Sequence, residues 1–402
     1  MRTGSRCVWR TLICLAIFFF PVVTLSQTPD NFLGENGILT QEELNDGWIA
    51  LFDGETLFGW RPQPAANFLV EDGAIVVNKG AQCLLCTTTQ FSDYILKVDF
   101  RCDESTNSGI FLRTSPKPSD VEKDCFELNI APPDNPFPTG SFVKLQKYDG
   151  HKPDGEWHSY EVTLLGGRAT VKLDGEVVLE YEKPDAVGRG FIGLQHNNGH
   201  VEFKNIKLKP LETEPIFNEK DLTGWKTYPD MASKFEVTPE GTLSMTNGKG
   251  MLETEGHYGD FVLQIEAISH GPHLNSGVFF RCIPGEEMNG YESQIQNGIV
   301  DGDRKKPMDA GTGAIFRRKN ARYVAADDHE WFAKTIIAEG PHFAIWVNGY
   351  LVTDWVDRRK ADKNPRRGLR TEPGSLILQG HDPTTNFSFR NLRIVEMKPR
   401  YE

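Results

Sequence analysis

The chain of 402 residues lacks the features that mark several broad classes of protein. Its formal net charge is −12, so it lacks the basic footprint that phosphate binding needs, and no nucleic-acid partner is predicted. A sustained helical period is also missing. Short runs of alternating polarity, separated by glycine-rich turns, predict an all-β protein instead.

Cysteine is scarce as well. Two of the seven cysteines fall in the first 26 residues, and the others are Cys83, Cys86, Cys102, Cys125 and Cys282. The pair at Cys83 and Cys86 has no second pair and no histidine at zinc-finger spacing. We therefore expect a disulfide or plain buried thiols, and we predict no metal and no cofactor.

The one long apolar run lies at the amino terminus. Residues 1–26 contain three arginines, no acidic residue and an apolar stretch from Leu12 to Leu25 that is short for a bilayer span. This pattern is typical of a secretory signal peptide, so the protein is expected to be exported, to a periplasm or outside the cell. An uncleaved signal anchor is the only membrane attachment left open.

The rest of the chain is a duplication. The stretch NSGIFLR at 107–113 returns as NSGVFFR at 275–281, and other motifs recur in the same order. They assign residues 47–211 to a first domain and residues 214–398 to a second. Each half is long enough to bury a core of its own, so each is expected to fold alone. An insertion at 357–370, rich in arginine and lysine, is expected to be a solvated loop.

Both copies have the signals of short strands and tight turns. Alternating apolar residues at 94–100 and 261–267 predict half-buried strands. Asp-Gly at 174–175 and Asn-Gly at 348–349 are strong signals for two-residue hairpins. Residues 40–43 have the pattern of a capping box, which predicts one short helix before the first strand. The predicted architecture is two β-sandwiches in series.

Each repeat places one arginine among apolar residues. Simple alternation puts Arg113 on the same strand face as Phe111, and Arg281 occupies the same position in the second copy. A buried guanidinium needs an anionic or strongly polar partner. Glu127 and Glu292 follow shortly after, so we expect each arginine to meet one of them, in a catalytic set or in a structural ion pair.

A set of short motifs spans nearly all of both copies, some of them complete in one copy and only approximate in the other. It consists of Leu-Phe-Asp-Gly before Gly-Trp, the Asn-Ser-Gly stretch with its arginine, Glu-x-Gln/Asn-Ile, Thr-Gly-Ala-Ile, Glu-Trp, Asn-Gly, Leu-Gln before a histidine, and Phe-Arg-Asn-Leu. Together these motifs resemble the 3-keto-disaccharide hydrolase family. That family is similar to concanavalin A-like lectins and glucanases, so the resemblance implies two tandem jelly-roll sandwiches, each with a concave face that holds sugar.

The resemblance also implies a chemistry. A ketone at C3 of a sugar acidifies the proton on C2, so a base can remove it, the group on C1 can leave by β-elimination, and water can then add. A carboxylate can act as the base, an arginine or amide can stabilise the enolate, and a histidine can protonate the leaving oxygen. A separate sugar oxidase is the expected source of the ketone.

Each copy supplies residues for this chemistry. The candidate catalytic residues are Glu127, Arg113 and His196 in the first copy, and Glu292, Arg281 and His381 in the second. The candidate substrate-binding residues are Asn107, Asn129 and Gln195 in the first copy, and Asn275, Gln294, Gln296 and Gln379 in the second. The second copy is nearer the family pattern, so if one site has turned to binding or to a scaffold role, the first is expected to be that one.

Plainer explanations stay open beside these assignments. Asn107 and Asn275 are good turn formers. His196 lies in an apparent turn, where exposure without function is an alternative, and Trp157 and Trp331 are expected in the core. At the level of function, a carbohydrate-binding module without catalysis is the alternative to an exported hydrolase or lyase.

Overall fold

The computed structural model describes residues 38–150 and 153–400, with residues 1 and 4. Apart from residues 1 and 4, the predicted signal peptide at 1–26 lies outside the described residues. In the part of the chain that is described, no helix is both long enough and apolar enough to cross a bilayer.

The first half contains two short helices and twelve strands among its described residues. They are α1 (Gln41–Asn45), β1 (Ile49–Ala50), β2 (Leu69–Glu71), β3 (Ala74–Val77), β4 (Cys83–Cys86), β5 (Tyr94–Cys102), β6 (Asn107–Thr114), α2 (Val121–Asp124), β7 (Phe126–Ile130), β8 (His158–Leu165), β9 (Arg168–Leu173), β10 (Glu176–Glu182), β11 (Phe191–Asn198) and β12 (Val201–Pro210).

The second half continues with strands alone in its described part. They are β13 (Glu214–Pro215), β14 (Trp225–Lys226), β15 (Lys234–Val237), β16 (Leu243–Thr246), β17 (Gly250–Thr254), β18 (Phe261–Ser269), β19 (Ser276–Cys282), β20 (Tyr291–Ile295), β21 (Ile299–Val300), β22 (Asp303–Pro307), β23 (Phe332–Glu339), β24 (His342–Val347), β25 (Tyr350–Val356), β26 (Ser375–Gly380) and β27 (Asn386–Glu396).

Each half forms two facing antiparallel sheets. In the first sandwich the larger sheet has the order β10-β9-β8-β5-β12-β3-β2, with β1 paired to β12, and the smaller sheet has the order β4-β11-β6-β7. In the second, the larger sheet runs β15-β16-β27-β18-β23-β24-β25, with β13 on β27, and the smaller runs β14-β17-β26-β19-β20. The predicted fold, two tandem jelly-roll sandwiches, is confirmed.

Local sequence explains these elements. In β5, Tyr94, Leu96, Val98 and Phe100 are each at most 1% exposed while the residues between them are half-buried, which is the alternation of a strand with one face in a core. The predicted hairpins form at 174–175 and 348–349, where both central residues of each turn have positive φ. The predicted capping box closes at the start of α1.

The two sandwiches share a hydrophobic core. The cluster that fills the first sandwich also contains Val262, Ile337, Ala344, Trp346 and Leu351 of the second. The indole Nε1 of Trp346 donates to the carbonyl oxygen of Ala50 at 2.8 Å, which fixes the second sandwich against β1. Because a cut between the halves would expose this apolar surface, we no longer expect each half to fold alone.

We expect Trp346→Ala to lower the free energy of unfolding of the whole chain by about 3–5 kcal/mol, because Trp346 is 2% exposed and its loss opens a cavity between the sandwiches. Urea denaturation followed by circular dichroism measures the effect. Trp331→Ala is the control, since Trp331 is half-buried under Arg390, whose guanidinium lies 4.1 Å from the ring centre. Equal losses in the two variants would contradict a shared core.

Candidate active site

The repeated stretch forms an inner strand of the smaller sheet in each sandwich. In the first, β6 lies between β11 and β7, with Phe111 opposite Glu127 and Gly109 opposite Asn129. The neighbours of Glu127 along β7, Phe126 and Leu128, belong to the core, so Glu127 points to the outer face of the sheet.

The second sandwich repeats this register. Phe279 lies opposite Glu292, and Gly277 opposite Gln294. A Cβ atom at Gly277 would lie 3.0 Å from Oε1 of Glu292 and 3.3 Å from Oε1 of Gln379, so glycine is what lets these two side chains meet above the strand. The structure therefore brings together Glu292 and Gln379, as it brings together Glu127 and Gln195.

Both glutamates have perturbed acidity. Burial raises the pKa of Glu127 to about 7, although Gln195 Nε2 donates to its Oε1 at 3.2 Å and Lys144 adds a favourable charge. Burial likewise raises the pKa of Glu292 to about 7. Each carboxyl is therefore a stronger base than an exposed glutamate, and each is poised near neutral pH.

Three positive charges act on Glu292. The charges of Arg366, His381 and Lys334 all favour its ionised form, while Asp309 opposes it. Lys334 is buried on β23 and its Nζ donates to the carbonyl oxygens of Ser293 and Gln294 at 2.9 Å each. Burial lowers the pKa of Lys334 to about 7, so its charge under Glu292 depends on pH near neutrality.

The expected pairing of each arginine with a glutamate is wrong. Arg113 instead pairs with Asp93, whose Oδ1 lies 2.6 Å from Nη2, and its other nitrogens donate to backbone carbonyl oxygens at Ser92, Gly166 and Val187. Arg281 pairs with Asp260 at 3.0 Å and donates to the carbonyl oxygens of Gly259, Gly340 and Arg370.

The backbone explains why alternation failed at these arginines. Arg113 has φ +50° and Arg281 has φ +49°, and the pairing register of β6 and β19 with the neighbouring strand shifts at this point. The bulge turns each side chain away from the outer face. The guanidinium of Arg281 lies 5.3 Å from the ring centre of the core residue Phe343. Both arginines are thus buried structural residues and lie apart from the glutamates.

The two histidines lie on opposite sides of their sheets. His196 is a residue of β11, not of a turn, and is 2% exposed, with its Nδ1 unpartnered among the described residues. The side chain of its neighbour Gln195 lies on the outer face of the sheet. In the second copy Gln379 matches Gln195, so His381 lies two residues further and takes the outer side. The single-residue offset therefore removes His196 from the site and leaves His381 near Glu292.

Burial lowers the pKa of His196, which keeps its imidazole neutral at physiological pH. The side chain of His381 is 43% exposed and its Nδ1 lies 2.8 Å from Oδ2 of Asp382. His381 is thus the histidine that can exchange protons with solvent and with a bound molecule.

Amide side chains complete the second site. Asn275 Nδ2 donates to Oδ2 of Asp309 at 2.8 Å, and Gln294 Nε2 donates to the same oxygen at 3.2 Å. Oε1 of Gln294 and Oε1 of Gln379 are buried with no hydrogen-bond partner in the described chain. Gln296 does not join them, because its Oε1 accepts from the backbone of Gly298 at 2.9 Å.

Sequence reasoning missed Asp309 and Arg366. Asp309 lies three residues before the Thr-Gly-Ala-Ile motif, and this position was the available signal. Arg366 belongs to the insertion at 357–370, which is not simply solvated: Asp357 is 2% exposed, and Arg366 lies 5.9 Å from the ring centre of Phe279. Arg366 Nε also donates to the carbonyl oxygen of Met288 at 3.0 Å, and so joins two loops over Phe279.

Two further sequence predictions are settled by the structure. The five cysteines in the described part are free thiols, and burial raises the pKa of Cys86 to about 12, so the disulfide alternative is not formed. Trp157 and Trp331 are half-buried and lie under cationic side chains, so their expected place in the core is wrong.

Comparison with known proteins identifies relatives of both sandwiches. The family described as "3-keto-alpha-glucoside-1,2-lyase-like domain" matches residues 47–209 and again residues 212–395. A 3-keto-disaccharide hydrolase of Bacteroides thetaiotaomicron is 25% identical over 231 residues, covering 42% of this chain and 79% of that protein.

Solved structures give weaker similarities. A Parabacteroides distasonis protein assigned as a glycosyl hydrolase is 23% identical, with a TM-score of 0.39, over 43% of this chain and 98% of its own. The carbohydrate-binding module CBM66 of Bacillus subtilis is 14% identical, with a TM-score of 0.30, over 37% of this chain and 94% of its own.

Proposed function

We propose that this chain, which belongs to the 3-keto-alpha-glucoside-1,2-lyase-like family in both of its halves, is an exported enzyme that cleaves glycosides carrying a ketone at C3 of the sugar. The family predicted from the sequence motifs is confirmed by that match. The similarity to a 3-keto-disaccharide hydrolase supports the substrate class. We infer export from the signal peptide predicted at residues 1–26. We expect a separate sugar oxidase to supply the ketone.

We assign catalysis to the second sandwich. The observation that carries this assignment is Glu292: it is half-buried on the outer face of β20, its pKa is raised to about 7, and the charge of His381 reaches it. In the first sandwich Glu127 has the same register, but Asn197 takes the place of His381. Among the described residues, the second site therefore pairs its base with a histidine that can protonate the leaving group, and the first does not.

The steps follow from the chemistry of the ketone. The Glu292 carboxylate accepts the C2 proton, and the electron pair of the C2–H bond forms an enolate with the C3 carbonyl. The C1–O bond then breaks, its electrons leave with the aglycone oxygen, and that oxygen takes a proton from His381. A double bond between C1 and C2 remains, conjugated to the ketone. Water then adds across it: its oxygen bonds to C1, its released proton goes to His381, and Glu292 returns the proton to C2, which completes the hydrolysis and restores both residues.

The enolate needs a stabilising group, and Arg281 does not serve, because Asp260 and three carbonyl oxygens occupy its guanidinium. Arg366 is the cation whose charge already favours ionised Glu292, and it is exposed on the same side of the sheet. We therefore assign oxyanion stabilisation to Arg366. The unpartnered amide oxygens of Gln294 and Gln379 accept hydrogen bonds from sugar hydroxyl groups.

A direct assay tests this function. The purified protein is incubated with a disaccharide oxidised at C3 of its non-reducing sugar and, in parallel, with the unoxidised disaccharide. We expect release of the aglycone sugar from the first substrate alone, since the second lacks the acidic C2 proton. If neither is cleaved, or if both are cleaved at equal rates, the proposal is wrong.

The pH dependence of cleavage follows from Glu292. Because the base must be ionised and its pKa lies at about 7, kcat/KM is expected to rise by about tenfold per pH unit below pH 7, and to fall again at high pH because His381 must carry the proton that it donates. The measurement is kcat/KM from pH 5 to 9 at constant ionic strength. An inflection near pH 4 to 5, as for an exposed glutamate, would exclude a buried base.

A further inference from the structure

We propose that the first sandwich carries a separate site that binds an uncharged, unoxidised sugar unit and does not cleave it. A cavity of about 450 Å³ opens on the outer face of its smaller sheet, where β6, β7 and β11 form the floor. This volume is in the range of cavities that hold small organic ligands. The inference goes beyond the proposed catalysis and rests on it only for the chemical class of the ligand.

The polar lining of this cavity is incomplete without a ligand. Gln195 is 4% exposed and lines the cavity, and its Oε1 has no hydrogen-bond partner among the described residues. Its Nε2 is used, since it donates to Glu127. A buried acceptor without a donor is costly, so the site favours a ligand with hydroxyl groups. Asn107 and Asn197 add amides to the same lining.

Apolar side chains form part of the remaining lining, beside the polar residues Gln82, Asn129 and Asn135. Leu84 and Phe111 contribute from the sheet, while Pro116, Pro118 and Val143 contribute from the loops around it. A pyranose ring has the matching character, because its C–H faces are apolar and its rim is polar. The charged groups in this lining are one carboxyl, Glu127, and one ammonium, Lys117, so neither sign is in excess and a neutral sugar suits the site better than a charged one.

The second copy has different side chains around the corresponding position. Phe279, the counterpart of Phe111, packs in a cluster with Met288, and Arg366 lies over its ring. Met288 Sδ also lies 3.2 Å from Nε2 of Gln379. The outer faces of the two copies therefore differ in shape. Among the described residues, the first copy has Asn197 where the second has His381, so a glycoside bound there lacks the proton donor that we assign in the second copy.

Isothermal titration calorimetry on the full chain tests this division, with unoxidised maltose and cellobiose as probes. We expect the chain to bind at least one of them at a single site, without cleavage. Gln195→Met, which keeps the side-chain volume but removes the amide, is expected to weaken binding by about tenfold or more. Val143→Trp, which fills the cavity from a loop, is expected to abolish it.

Gln379→Met reports which sandwich binds, since Gln379 holds the same position in the second sandwich. Val177→Met is the control, because Val177 is 56% exposed on β10 of the larger sheet, and we expect it to leave the binding of maltose or cellobiose unchanged. Binding that is lost in Gln379→Met but kept in Gln195→Met and Val143→Trp, or no binding of either probe at millimolar concentration, would overturn the inference. Because binding of an unoxidised sugar is measured without turnover, a failure of the proposed 3-keto-glycoside cleavage would appear separately.

Discussion

Glu292→Gln is expected to lower kcat for a 3-keto-disaccharide by about 10²–10⁴-fold while substrate binding is kept. The amide has the size of the carboxylate but cannot accept the C2 proton. The most direct measurement is exchange of the C2 hydrogen in deuterated water, followed by NMR beside product release. Both exchange and cleavage should fall together, because the first proton transfer is the step that is lost.

Glu127→Gln is the matched control for this prediction. Glu127 has the same register and a pKa raised to the same value of about 7, so burial and charge are comparable in the two variants. We expect exchange at C2 to continue at the parent rate in Glu127→Gln. If both variants exchange and cleave at the parent rate, neither glutamate is the base. The alternative, a carbohydrate-binding module without catalysis, is then favoured.

The fold was largely predictable from the sequence, because it depends on local patterns. Alternation along 94–100 and 261–267 has a period of two residues and so reports which face is buried. The Asp-Gly and Asn-Gly turns tolerate positive φ at low cost. These signals need no knowledge of distant partners, and they appear at the predicted positions.

The candidate site was predictable only in part, because a strand face depends on the parity of residue number. Glu292 and Gln294 were placed correctly on one face since β20 is regular. One bulge at Arg113, signalled by no proline or glycine at that residue, reversed the face of its side chain. A one-residue offset in the sequence likewise puts His196 on the opposite face of its sheet from His381. The glycine that faces the bulge, Gly190, lies in another loop, where a Cβ would come within 2.2 Å of the Arg113 carbonyl oxygen.

The contact between the sandwiches was missed for a different reason. Trp346 and Ala344 alternate with core residues of β24, so the strand is apolar on both faces. Such a strand indicates burial on both sides, but the sequence does not say which element covers the second face. Here the first sandwich covers it, so the duplication that suggested two independent units produced one joined core.

Arg281→Met is expected to lower the free energy of unfolding by about 3–5 kcal/mol, without a specific loss of kcat in the protein that stays folded. Arg281 is fully buried, and its removal leaves Asp260 without one ionic partner and leaves three carbonyl oxygens without a donor. Arg281→Lys keeps the charge but not the planar fork, so it should recover only part of the loss. Urea denaturation and single-turnover cleavage measure the two effects separately.

Arg366→Met provides the opposite pattern. Arg366 is exposed and acts on Glu292 through its charge, so we expect a change in stability within about 0.5 kcal/mol and a clear loss of kcat. The two variants would then distinguish two roles in one sandwich: Arg281 stabilises the backbone around Asp260, and Arg366 faces the substrate. A normal free energy of unfolding in Arg281→Met, combined with lost turnover, would return Arg281 to the catalytic set and contradict the buried ion pair.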